Sequence, residues 1–138
     1  MCRWNPFKGT YTFKLSDGPD SIRAILEELL LSDDWLWLNI EVSTQYCLQI
    51  AKEGQDVLVN FSFPFRDSLE SLFREKGIDP PPGSRLEYWP RSRWRGFIWG
   101  ATFRVPLEDV AGIARFTHQL LTRLFECQED RLDALVVR

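Results

Sequence analysis

The side chains that could do chemistry are few and scattered. His118 is the only histidine, so a Ser-His-Asp or Cys-His nucleophilic site would have to use it, and a histidine-rich metal site lacks ligands. It stands in line with Ala114, Leu121 and Phe125, where it reads as a boundary residue of an amphipathic helix. The three cysteines, Cys2, Cys47 and Cys127, are odd in number and form no Cys-x-x-Cys pair. That pattern argues against a disulfide framework and fits a reducing, cytoplasmic setting. Among the acids, Glu27-Glu28 fall on a solvated helix flank, Asp33-Asp34 close a helix, and Glu41 lies in a strand with an apolar opposite face. None declares a general acid–base pair, whose members meet in space rather than in sequence. Gly96 and Gly100 sit within a strand pattern, not between a strand and a helix, so there is no phosphate-cradling loop. No catalytic residue, metal or cofactor is assigned, and the inventory points away from an enzyme.

Two segments suit binding instead. Between residues 84 and 104 stand Arg85, Arg91, Arg93, Arg95 and Arg104 against one acid, Glu87. Tyr88, Trp89, Trp94, Phe97 and Trp99 are interleaved with them. Arg and Trp in this pattern can anchor a protein interface or pair with phosphates and stack on bases. The plain alternative is a hairpin whose turn, residues 90–95, is solvated while Tyr88, Phe97 and Trp99 enter the core. The second segment is a strand over residues 35–42. Its alternation sets Leu36, Leu38, Ile40 and Val42 against Trp35, Trp37, Asn39 and Glu41. If the aliphatic set faces helices, the two tryptophans share the other sheet face, which is rarely left in water. That face is either a dimer or ligand surface, or is covered by residues 4–7 or by the C-terminal strand. The candidate partner-binding residues are therefore Trp35, Trp37, Arg91, Arg93, Trp94 and Arg95.

These residues must be positioned by a chain of 138 residues, with 44% apolar and 27% charged types. That is enough for one domain with a sizeable core, and no apolar run reaches the roughly 20 residues of a spanning helix. The net charge of −3 supplies no global attraction to nucleic acid. Residues 10–15 alternate as a strand with Tyr11, Phe13 and Leu15 on one face. Gly18-Pro19 opens a helix whose stripe is Ile22, Ile25, Leu26, Leu29 and Leu30. Strands over residues 35–42, 46–51 and 57–63 follow in close succession and predict an antiparallel meander. A second helix spans residues 68–76, with Asp67 and Glu70 at capping-box spacing and Gly77 as C-cap. Residues 79–83, Asp-Pro-Pro-Pro-Gly, form a rigid connector inside the domain. Strands over residues 85–89 and 96–105, a helix over residues 107–125 and an apolar tail, residues 132–137, complete the order β-α-βββ-α-ββ-α-β. This predicts an α+β fold, an antiparallel sheet with helices on one face.

From residue 21 to 125 the order α-βββ-α-ββ-α, carried by the 22–30 stripe, the 35–63 meander, the 69–73 helix, the 85–105 hairpin and the 110–124 helix, resembles the type III secretion chaperone-like fold group, which includes the YbjN-type proteins. The resemblance implies a homodimeric, non-enzymatic binder of partner polypeptides and carries over no functional residue. The expectation is a protein-interaction or chaperone-like module whose partner is another polypeptide or a second copy of the chain. The alternative is nucleic-acid or phosphorylated-ligand binding through residues 85–99, and no membrane partner is expected.

Overall fold

The computed structural model describes residues 3–5, 9–43, 46–66, 68–89 and 93–138. The fold is α+β. Strands β1 (Arg3–Asn5) and β2 (Thr10–Lys14) precede helix α1 (Pro19–Leu29). The meander β3 (Trp37–Ile40), β4 (Leu48–Glu53) and β5 (Asp56–Phe65) follows, then α2 (Leu69–Lys76), β6 (Arg85–Tyr88), β7 (Arg93–Trp94), β8 (Phe97–Pro106), α3 (Val110–Gln119) and β9 (Arg131–Val137). The predicted order is present, with β1 and β7 as short additions. All pairings are antiparallel, in the order β1-β2-β9-β3-β4-β5-β8-β6, with β7 joined to β8.

Side chains of directly paired residues share a face of the sheet. Tyr11, Phe13, Leu132, Ala134, Leu38, Ile40, Leu48, Ile50, Val59, Phe61 and Phe103 fall on one face by register and are all buried. The three helices pack there. The ring of Phe103 lies 5.6 Å from Phe73 of α2 and 5.0 Å from Phe116 of α3. Helix α1 rests against α3 and β2, burying Ile22, Ile25, Leu26 and Leu29.

Local chemistry sets the boundaries. Pro19 occupies the first helical turn of α1, where its missing N–H costs nothing. The cap of α2 is Ser68, whose hydroxyl accepts from the Ser71 amide at 3.3 Å; the predicted Asp67 cap lies outside the described residues. Gly77 closes α2 at φ 70°, ψ 37°, as expected for a left-handed C-cap. The proline connector ends in a turn with Pro82 and Gly83 central, Gly83 at φ 79°, closed by Ser84 N–H donating to the Pro81 carbonyl at 3.1 Å. Pro followed by a positive-φ Gly is the type II signature. The Asp79 amide donates to Gln119 Oε1 at 2.8 Å, which fastens the connector to α3. The predicted third helix continues from α3 as a π-helical segment, Leu120–Leu124.

Candidate functional site

The apolar C-terminal tail does not lie over the sheet. It enters it as β9, between β2 and β3, and so extends the face opposite the helices. Register defines that face. One row runs Val137, Trp37, Ala51, Leu58, Arg104 and Arg85 across β9, β3, β4, β5, β8 and β6. The next runs Leu135, Asn39, Gln49, Asn60, Thr102 and Glu87 across the same strands. The first row is apolar over four strands and charged at its end; the second is largely polar. Trp37 keeps 37% of its surface exposed, and Leu36, just before β3, 56%. Trp37 thus stands where the sequence put it, on the face away from the helices.

Trp35 does not accompany it. Strand β3 begins only at Trp37, so the alternation predicted from residue 35 fails in its first two positions. Trp35 is 6% exposed. Its indole N–H donates to the carbonyls of Leu29 and Ser32, 2.9 Å to each. Leu29 ends α1, and its carbonyl also accepts from the Ser32 amide at 3.0 Å; Ser32 lies in the turn that follows. Trp35 therefore fastens α1 and belongs to the core, while Leu36, expected on the core face, turns outward.

The charged end of the first row is an ion-pair network. Arg104 Nη1 lies 3.4 Å from Glu53 and 3.5 Å from Asp56, and its Nε 3.7 Å from Glu87; Arg85 Nη2 lies 3.8 Å from Asp56. Two of the five arginines that made the 84–104 segment basic are thus balanced by carboxylates from the β4–β5 hairpin, about 30 to 50 positions earlier in the chain. Beside them the Trp89 indole folds back over Gly100. A Cβ on Gly100 would sit 2.0 Å from Trp89 Cε3. The Trp89 Nε1–H donates to Thr102 Oγ1 at 2.9 Å, and the Thr102 hydroxyl donates to Asn60 Oδ1 at 2.6 Å. A glycine inside a strand can mark such a close approach, and that signal was present in the sequence.

The hairpin turn differs from its expected place. Arg93 pairs with Ile98 and Trp94 with Phe97, leaving a two-residue loop of Arg95 at φ 50° and Gly96 at φ 80°. Two positive φ angles make a type I′ turn, which suits the twist of the flanking strands. The turn is thus Arg95-Gly96, not residues 90–95. Arg95 is exposed at its tip, Arg93 and Trp94 form β7, and Arg91 lies outside the described residues. Of the aromatics expected in the core, Tyr88 packs against it, whereas Trp99 is 37% exposed. The Phe97 ring carries the Arg66 guanidinium 4.5 Å from its centroid.

His118 is half-buried, with Nε2 2.9 Å from the Leu15 carbonyl oxygen. A carbonyl only accepts, so Nε2 carries the proton and ties α3 to the end of β2. No group of three His, Cys, Asp or Glu side chains among the described residues could hold a metal ion. Cys47 and Cys127 are free thiols, and burial pushes the Cys127 thiol up. No described helix is long and apolar enough to cross a membrane. No family model, curated protein or solved structure matches the chain.

Proposed function

We propose that the chain is a non-catalytic protein-interaction module that pairs with a second copy of itself through the sheet face opposite the helices. The observation that supports this is the apolar row Val137, Trp37, Ala51 and Leu58, which crosses four central strands on the face opposite the three described helices. Burying apolar surface is favourable by about 25 cal/mol per Å². Two such faces can stack as a sandwich about 10 Å apart, with the Arg104 network at the rim. The alternative, phosphate binding by the 85–99 hairpin, loses support because Arg85 and Arg104 already pair with carboxylates. Sedimentation at micromolar concentration tests the proposal. The native chain is expected as a dimer and Trp37→Glu as a folded monomer, since a carboxylate between Val137 and Ala51 would be desolvated in the interface. A native monomer, or a Trp37→Glu dimer, refutes it.

A further inference from the structure

A cavity of about 700 Å³ opens where the ends of β3 and β4 meet the turn after α3. That lies within the size range of small-ligand sites, roughly 300–1,000 Å³. One wall is aromatic: the Tyr46 and Phe125 rings stand 6.2 Å apart, each backed by Phe63 at 5.4 and 5.8 Å. Ile40, Val42 and Leu132 add aliphatic lining.

The chain builds this wall at a cost. The π-helical segment Leu120–Leu124 ends with the Phe125 amide donating to the Leu120 carbonyl at 2.9 Å and the Cys127 amide to the Leu121 carbonyl at 3.0 Å. Glu126 is held at φ 50°, a left-handed conformation that is strained for a residue with a side chain. The wide turn brings Phe125 across to the Tyr46 side and leaves Glu126 at the mouth.

Charge decides the ligand class. Glu41, Glu126 and Glu129 line the cavity, and among the described lining residues there is no Lys, Arg or His. Glu126 meets Lys76 at 3.3 Å in a surface pair that solvent screens. Glu41 and Glu129 have no ion pair among the described residues. All three acids are exposed, and among the described residues they form no metal-holding group. Aromatic faces beside carboxylates favour a cation on an apolar body.

We propose that this cavity binds an organic cation, an ammonium or guanidinium group carried on an aromatic or aliphatic body. The group sits among the carboxylates and the body against Tyr46 and Phe125. Of the two rows on the sheet face only Asn39, in the polar one, also lines this cavity; Trp37 and the apolar row do not, so the site is tested apart from self-association.

The thiols supply the readout, because Cys47 and Cys127 both line the cavity. The native chain is titrated by calorimetry with 2-phenylethylammonium, neutral 2-phenylethanol and anionic 3-phenylpropionate. Alkylation of each cysteine by N-ethylmaleimide is followed by mass spectrometry with and without each probe. The ammonium probe is expected to bind at least about tenfold more tightly than the alcohol and to slow alkylation of Cys127. Both effects should weaken about tenfold in Glu41→Gln/Glu129→Gln and persist in Trp37→Glu. N-acetyl-lysine methylamide distinguishes a polypeptide-borne cation, if it binds more tightly than the amine, from a free one. Equal binding of the three phenyl probes, no saturable binding of either cation below ~1 mM, or unchanged binding in the double variant overturns the proposal.

Discussion

Gly100→Ala is a small change with a large expected effect, because the Trp89 indole occupies the space a side chain would need. The new Cβ would lie 2.0, 2.4 and 2.5 Å from Cε3, Cδ2 and Cζ3 of that ring. Carbon atoms settle at about 3.5–4.0 Å, so the indole has to move by more than an ångström. Overpacking of this kind costs about 1–3 kcal/mol. The move also breaks the Trp89 to Thr102 hydrogen bond of 2.9 Å, worth about 0.5–1.5 kcal/mol net. Alanine in place of glycine within a strand returns about 0.5–1 kcal/mol. The net expectation is a loss of about 2 kcal/mol. With Trp89→Ala already in place there is no ring to displace, and Gly100→Ala should be neutral or stabilising by up to about 1 kcal/mol. Urea unfolding of the four proteins of this cycle measures the coupling. An equal loss from Gly100→Ala in both backgrounds would show that the indole does not lie on Gly100, and the description of this part of the face would be wrong.

Leu26→Ala and Leu120→Ala each remove a fully buried side chain between helices and sheet and should each cost about 2–5 kcal/mol; unchanged denaturation midpoints for both would refute that packing. Asp130 is held below its ordinary value of 3.8 by hydrogen bonds from the Ser16 hydroxyl and amide, and Asp34 likewise by the Ser32 hydroxyl and then Arg138. A depressed folded-state pKa contributes stability that is present above about pH 3.8 and lost as pH falls through the lower folded value. Asp130→Asn should therefore lower the thermal midpoint at pH 6 and leave it less sensitive to acid below pH 4, and parallel acid profiles for the two proteins would contradict this. Labelled single-stranded DNA and RNA titrated at two salt concentrations should show no submicromolar binding; tight, salt-dependent binding that disappears when Arg91, Arg93 and Arg95 become Gln would restore the phosphate reading.

Periodicity determined much of this protein. The stripe Ile22, Ile25, Leu26 and Leu29, the alternation of β5 and the closely spaced strands over residues 35–63 identify their elements because burial repeats at the period of the backbone. Gly18-Pro19 and Gly77 mark helix ends because their φ preferences act within a turn. Even the outward face of Trp37 was legible, since Leu38 and Ile40 fix the parity of β3. What only the tertiary structure decided depends on partners distant in sequence. Trp35 continues the same alternation, yet it is buried, its indole N–H donating to the carbonyls of Leu29, at the end of α1, and Ser32, in the turn after it. The arginines around residue 84–104 read as a bare positive patch until register set Arg104 beside Glu53 and Asp56. The C-terminal tail was legible as a strand, but its place between β2 and β3, which extends the apolar row by Val137, follows from long-range hydrogen bonding. The cavity at Tyr46 and Phe125 was not legible at all, because it joins the end of a meander to the turn after a helix almost 80 residues later, and no local period records such a meeting.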